Sequence, residues 1–312
     1  MILERALELA ERGRGTTHPN PVVGAVVVRD GKIVGEGWHQ RKGEPHAEVI
    51  ALEAAGDRAR GATLYLTMEP CAHHGLTPPC TDAVIAAGVA KVVAGSLDPN
   101  PEARGGFDVL RAAGIEVEHA DSFAARAQNE AWRLWVAEGR PFVILKLALT
   151  LDGRVAVPGA RWISGEESRR RVHELRAQVD AVAVGMGTVR TDEPQLTARD
   201  VEARRQPRRL AFGRGPLPEG SELDLRSGQL DEELRALAAD GVQSLLLEGG
   251  PRLAESFLRV ELVDKVMLFV APFVAGSGLT FAPDLDTPVE LRRLTAEEVG
   301  DDLLLTGYVH EP

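Results

Sequence analysis

The sequence predicts an α/β protein of two domains, and three observations carry that prediction. A length of 312 residues exceeds the usual size of one domain and fits two. Short apolar runs alternate with helical patterns along the chain, as in strands joined by helices into a mainly parallel sheet. Residues able to do chemistry gather at the ends of those runs, where the active sites of open α/β sheets lie. The boundary is expected at a helical stretch, 122–138, that stops at Gly139. Residues 1–138, with that linker helix, then form the first domain and residues 139–312 the second.

Composition excludes several classes. An apolar content of 44% is ordinary for a globular protein. A formal charge of −11 argues against a nucleic-acid surface. No apolar run is long enough to cross a bilayer, so no membrane partner is expected. Met1–Glu8 opens as an acidic amphipathic helix rather than a signal peptide, which points to the cytoplasm. The two cysteines, Cys71 and Cys80, both fall in a metal-binding context, so no disulfide is implied.

In the first domain, residues 1–14 read as a helix with Ile2, Ala6, Leu9 and Ala10 on its apolar face. Asn20 lies between two prolines in a loop, where an asparagine suits a turn. Strands 24–28 and 32–37 flank Asp30-Gly31, a strong hairpin signal, and His39 follows. Residues 45–55 read as a helix closed by Gly56. Residues 62–68 form a buried strand delivering Glu69 and Cys71 at its end. Cys80–Ala87 reads as a helix closed by Gly88, with Cys80 at the N-terminus, where the dipole favours a thiolate. Strand 91–96 leads to Asp98, and 107–119 reads as a further helix–strand unit. Residues 122–138 are expected to form one helix whose Trp132 and Trp135 suit an interdomain seam.

The chemistry concentrates in His46-Ala47-Glu48, Glu69-Pro70-Cys71 and Pro79-Cys80. Singly, each residue reads as an ordinary core cysteine or structural histidine. Together, His46, Cys71 and Cys80 offer one imidazole and two thiolates, a soft ligand set for one zinc ion. A fourth position left to water makes such a site catalytic. Zinc lowers the pKa of that water to near 7, and Glu48, two residues past the first ligand, is placed to relay its protons. The pattern resembles the zinc nucleobase deaminases, whose glutamate is an acid/base and not a ligand. Their cysteines are two residues apart, whereas eight residues, Ala72–Pro79, intervene here.

That long insert, with His18-Pro19-Asn20-Pro21-Val22-Val23-Gly24-Ala25, His39–Pro45 and Asp98-Pro99-Asn100-Pro101, resembles the bifunctional riboflavin-biosynthesis deaminase–reductase family. The resemblance covers nearly the whole chain. It implies a cytidine-deaminase-like α/β/α first domain acting on a diamino-ribosylamino-pyrimidinone 5′-phosphate, with Asn20, His39 and His74 contacting that substrate. Leu76 departs from the Arg or Lys of the family, leaving Arg41 or Lys42 to compensate at the substrate phosphate.

In the second domain, an apolar strand at 141–150 precedes the turn Leu151-Asp152-Gly153-Arg154. A charged helix at 166–177, a strand and glycine turn at 180–189, and a buried strand at 242–247 follow. On the residues alone, Gly185-Met186-Gly187 and Glu248-Gly249-Gly250 are strand-to-helix turns that serve packing or let backbone approach phosphate. The ordered motifs from Lys146 through Asp152-Gly153, Trp162-Ile163-Ser164, Leu175-Arg176-Ala177, Gly187-Thr188-Val189 and Asp192 through Arg199 to Glu248 are similar to the reductase half of that family.

This similarity implies a dihydrofolate-reductase-like α/β fold that uses NADPH to reduce the ribosyl group to ribityl. It places Lys146, Thr150, Asp152, Trp162 and Ser164 on the substrate side, together with Arg176, Asp192, Leu196, Arg199 and Glu248. Arg176 and Arg199 suit phosphate grips, and Asp152 is the candidate proton donor. Gly185, Thr188, Gly249 and Gly250 are assigned to NADPH. Gly213-Arg214-Gly215 departs from the family, and 224–229 is expected to have lost a strand near the cofactor edge. The family implies a homodimer or homotetramer. Two other readings stand beside this one: a deaminase of another nucleobase with a degenerate, non-catalytic second domain, and a zinc-stabilised binding scaffold.

Overall fold

The computed structural model describes residues 2–75 and 78–312. The chain divides into two compact units, one from the N-terminus to Glu138 joined by Pro312, the other Gly139–Glu311.

In the first unit, α1 (Ile2–Glu11) precedes the hairpin β1 (Gly24–Arg29) and β2 (Lys32–Trp38). The turn residues Asp30 and Gly31 have φ of 49° and 72°, the left-handed pair that a two-residue hairpin turn demands. There follow α2 (Ala47–Ala55), β3 (Thr63–Leu66), α3 (Cys80–Ala87), β4 (Lys91–Ala94), α4 (Gly106–Ala112) and β5 (Glu116–His119). The sheet order is β2-β1-β3-β4-β5. β1 runs antiparallel to β2 and β3, and β3, β4 and β5 run parallel. Alternation along β1 makes the layers: Val26 packs with Ala6 and Leu9 of α1, while Ala25 and Val27 join Ala47, Ala51 and Leu52 of α2. α2 lies unusually close to β2. A Cβ on Gly37 would stand 2.5 Å from Ala47 O, and one on Gly35 2.2 Å from Ala51 O. These glycines let the helix carrying Glu48 rest directly on the sheet.

The single helix expected over 122–138 is two, α5 (Phe123–Gln128) and α6 (Glu130–Glu138). The break is at Asn129. Its buried amide brackets Val22, accepting from the backbone N–H and donating to the carbonyl, both at 2.9 Å. That tertiary pairing competes with helix continuation and wins.

The second unit comprises β6 (Phe142–Thr150), β7 (Arg154–Ala156), α7 (Glu166–Gln178), β8 (Ala181–Gly185), α8 (Met186–Asp192), β9 (Arg208–Phe212) and β10 (Asp224–Arg226). It continues with α9 (Leu230–Ala239), β11 (Ser244–Leu247), α10 (Pro251–Arg259), β12 (Lys265–Ala271), β13 (Leu279–Thr280), β14 (Arg292–Val299) and β15 (Asp302–Tyr308). The main sheet has the order β10-β9-β8-β11-β6-β12-β15-β14. It is parallel from β10 to β12, with β15 and β14 antiparallel at the far edge. Buried Val143, Leu145, Leu245 and Leu247 of the central strands pack with Phe257 of α10 and Leu234 of α9. The strand expected to be missing from 224–229 is present in short form. β10 pairs with β9, Leu225 opposite Ala211, and Gly213 N–H donates to Arg226 O at 2.9 Å.

Candidate active sites

The first site is assembled from three element ends. His46 caps α2 with extended backbone, φ −74° and ψ 165°, and Glu48 is the second residue of that helix. Cys71 stands in the loop after β3, and Cys80 opens α3. His46 Nδ1 lies 3.1 Å from Cys80 Sγ and 3.8 Å from Cys71 Sγ. All three ligand atoms lie within 4.8 Å of one another. In a tetrahedral site with bonds of about 2.0–2.3 Å, ligand atoms stand roughly 3.5–3.8 Å apart. The donor set and its spacing therefore fit zinc. Hydrogen bonds from Cys80 and His46 push the Cys71 thiol down, towards the thiolate that zinc ligation requires.

Glu48 is 3% exposed, and its Oε2 is buried with no hydrogen-bond partner. Burial, reinforced by the charge at Cys71 and opposed by His46, pushes the carboxyl up to about 7. A group so placed both takes and gives protons near neutral pH. A buried carboxylate oxygen without a protein partner beside the triad is left free for a ligand of the site.

Glu48 opens onto a cavity of about 330 Å³. Asn20 and His39 line it, with Asn20 Nδ2 3.3 Å from His39 Nε2. His39 Nδ1 is 3.4 Å from Pro45 O. The ring therefore donates through Nδ1 and accepts from Asn20 at Nε2. Burial and the neighbouring His46 push its pKa down, which keeps this neutral tautomer. His74, assigned to the substrate by resemblance, is exposed and is not among the lining residues; His73 and Gly75 are. Arg41 and Lys42 are exposed and do not line the cavity, although Gly43 does. Leu76 lies outside the described residues.

Several lining residues are named in the sequence reading without a role in the site. Glu69 accepts from Phe107 N–H at 3.0 Å and from Asp98 N–H at 3.2 Å, so it joins the loop after β4 to the start of α4. Asp98 accepts from Asn100 N–H at 2.8 Å, and burial pushes it up to about 6. The adjacency of Glu69 to Cys71 was the available signal. Trp132 and Trp135 line this cavity.

The second unit gathers charge at the C-terminal ends of its central strands. Glu248, after β11, is bonded by Arg176 of α7 through Nε at 2.6 Å and Nη2 at 3.0 Å, and by Lys146 of β6 at 2.9 Å. Burial alone would raise Glu248, but Lys146 and Arg176 outweigh it and hold the carboxyl down at about 2. Arg176 also donates to Thr197 O at 3.2 Å. In this structure its guanidinium is engaged by Glu248 and Thr197 rather than standing open. Arg199 is exposed, donating to Thr197 Oγ1 at 3.2 Å and Gln195 Oε1 at 2.9 Å.

Asp152, the candidate proton donor, has both carboxylate oxygens engaged. Its carboxylate accepts from Thr150 Oγ1 at 2.6 Å, from Ala275 and Gly276 N–H at 2.9 Å each, and from Arg154 Nε at 3.3 Å. These donors, the Thr150 hydroxyl foremost, hold it ionised well below the usual carboxylate range. Leu196 is 2% exposed with φ 54°. Trp162 lies between the Arg161 and Arg169 guanidinium groups, and Ser164 O accepts from Arg169 at 2.5 Å. Asp192 ends α8 and is exposed. Gly185 and Gly250 cap α8 and α10 without side-chain hydrogen bonds, at the ends of the adjacent strands β8 and β11. A Cβ on Gly250 would stand 3.7 Å from Thr188 Oγ1, so those two are brought together. Gly249 serves packing, its Cβ position lying 3.0 Å from Leu253 Cβ.

Residues 1–96 match the family described as the cytidine and deoxycytidylate deaminase zinc-binding region, and residues 141–305 match the RibD C-terminal domain. The chain is 40% identical to the riboflavin biosynthesis protein RibD of Aquifex aeolicus, covering 97% of this chain and 96% of that protein. It is also 40% identical to the Escherichia coli K12 protein of that name, covering 97% of each. The Aquifex alignment runs over 342 positions, more than the 312 residues of this chain, so that relative carries segments absent here. Among solved structures, Acinetobacter baumannii RibD matches with a TM-score of 0.86 at 35% identity, covering 98% of this chain and 97% of that one. The Thermotoga maritima diaminohydroxyphosphoribosylaminopyrimidine deaminase/5-amino-6-(5-phosphoribosylamino)uracil reductase matches with a TM-score of 0.84 at 36% identity and the same coverage.

Proposed function

The chain belongs to the RibD family of riboflavin biosynthesis proteins, and from that membership we propose how its two units divide the work of a bifunctional deaminase and reductase. The first deaminates the diamino-ribosylamino-pyrimidinone 5′-phosphate, and the second reduces its ribosyl group to ribityl. One zinc ion is held by His46, Cys71 and Cys80, and when bound it supplies the Lewis acidity that brings a water molecule to a pKa near 7. Glu48 would take one proton from the attacking water as its oxygen joins the amine-bearing ring carbon, and pass it to the ring nitrogen. It would then take the second proton from the new hydroxyl and hand it to the amine, which leaves as ammonia while the carbonyl forms. Asn20 and His39 hold the polar edge of the ring.

The observation that carries this reading is the buried, unpartnered Glu48 oxygen beside the three ligand atoms. A structural zinc site needs no such acid, which disfavours the scaffold reading.

In the second unit Gly185, Thr188 and Gly250 would help hold NADPH, which would supply the hydride. Lys146 and Glu248 face the sugar, and Arg176 fixes Glu248. Because Asp152 is held as an anion, the proton needed on opening the sugar ring falls to Lys146. A match to the reductase family over 141–305 disfavours a merely degenerate second unit. No described helix is long and apolar enough to cross a membrane. We take the cytoplasm as the site of action and a homo-oligomer as the working form.

The test is to incubate the zinc-loaded chain with the diamino substrate, with and without NADPH, and follow products by mass spectrometry. Amine-for-oxygen exchange without NADPH, then NADPH-dependent reduction, is expected. Glu48→Gln should lower deamination by about 10²–10⁴-fold with zinc content unchanged. Unaltered turnover in that variant would remove Glu48 from the mechanism.

A further inference from the structure

We propose that Trp132 and Trp135 of α6 form the wall on which the pyrimidine ring of the deaminase substrate rests, while Asn20 and His39 read its polar edge. The inference rests on the deaminase reading of the first unit and assigns its substrate-positioning surface.

Three observations carry it. The cavity beside Glu48 has Asn20, His39 and Asp98 as hydrogen-bonding lining, while its largest apolar side chains are the two indoles. A flat heteroaromatic ring needs both, a polar edge to be read and a face to be covered. Next, α6 is bolted to two sides of this cavity. At its start Asn129 brackets the Val22 backbone at 2.9 Å, between the lining residues Pro21 and Val23. One turn on, Arg133 Nη1 donates to Leu97 O at 2.8 Å, beside the lining residue Asp98. Trp132 lies between these two anchors in sequence and is 8% exposed. Its position is therefore set by contacts to the site and not by helix propensity alone.

The third observation concerns sequence placement. His46, Glu48, Cys71 and Cys80 fall within residues 1–96, the part shared with deaminases of other bases. The indoles fall outside it. The hydrolytic groups and the wall that covers the face of the ring thus lie in separate segments, and α6 supplies the second.

The experiment uses the full, zinc-loaded chain and the diamino substrate. Stacking of a base on an aromatic side chain contributes enough that its loss raises KM roughly 5- to 150-fold. Trp132→Leu and Trp135→Leu should show that rise with kcat nearly unchanged. Trp132→Phe should recover most of the affinity, because a π-face remains. Zinc content and NADPH-dependent reduction of the deaminated intermediate should not move. Unchanged KM in both Leu variants, with zinc retained, overturns the proposal.

A second measurement decides the matter if the Leu variants lose zinc. In a Glu48→Gln chain with Trp38→Phe and Trp162→Phe, only Trp132 and Trp135 emit, and the substrate binds without turning over. Titration should quench that emission saturably; no change at saturating substrate overturns the wall. A wild-type chain that never deaminates this substrate sinks the functional reading and the wall with it. Wild-type turnover with unmoved KM in the Leu variants sinks the wall alone.

Discussion

Replacing Glu248 by Gln tests the buried triad of the second unit most directly. Glu248 is held at about 2 against an ordinary 4.5. At roughly 1.4 kcal/mol per pKa unit, this shift contributes about 3 kcal/mol of folding free energy at neutral pH. The sign follows from the depressed value. The contribution is complete above about pH 4.5 and is lost as the pH falls towards 2.

Glu248→Gln removes the anion while Lys146 and Arg176, each with a side chain only 14% exposed, keep their charge. Breaking such a buried pair costs about 3–5 kcal/mol. For a unit of this size that corresponds to a fall in Tm of roughly 10 °C. Calorimetry of wild type and variant at a series of pH values reads both quantities. The gap in stability should be constant from pH 7 to about 5, then narrow as Glu248 protonates in the wild type. Equal Tm values at pH 7, or a gap indifferent to pH below 4.5, would refute the assignment of the triad as an ionised, stabilising cluster.

Three further expectations are independent of that one. Cys80→Ser should abolish zinc binding, read by metal analysis, and deamination with it, while NADPH-dependent reduction of supplied intermediate continues. Asp152→Asn should lower reductase kcat less than tenfold, against the ~10²–10⁴-fold loss that removal of a general acid causes; a larger loss with a shifted pH profile would restore Asp152 as the donor. Asn129→Ala leaves the buried N–H and carbonyl of Val22 without partners, which should destabilise the first unit by about 2–4 kcal/mol in urea unfolding. No change there would mean that helix propensity, and not the Val22 clamp, breaks the helix.

Much was legible in the residue order because it depends on local chemistry. Asp30-Gly31 specifies its turn through two positive φ values, and neighbours along the chain are enough to enforce them. His46, Glu48, Cys71 and Cys80 were readable because each sits at an element end whose signal lies within a few residues: a closing glycine, an apolar run, a Pro-Cys helix start. Ligand type and spacing then state the metal chemistry, and membership of the RibD family follows from the ordered motifs of both halves.

What only the tertiary structure decided involves partners far apart in sequence, or directions that spacing does not encode. Asp152 reads as an acid until Ala275 and Gly276, more than a hundred residues on, donate to it and keep it ionised. Arg176 reads as a phosphate grip until Glu248 claims its guanidinium fork. The helix over 122–138 reads as continuous until Val22 pairs with Asn129. His73 and His74 are neighbours of one type, and only the path of the loop turns the first to the cavity and the second to solvent. Local sequence thus determined which groups exist and which elements present them. The ionisation and contacts of those groups depended on packing, because desolvation and hydrogen bonding act through space and not along the chain.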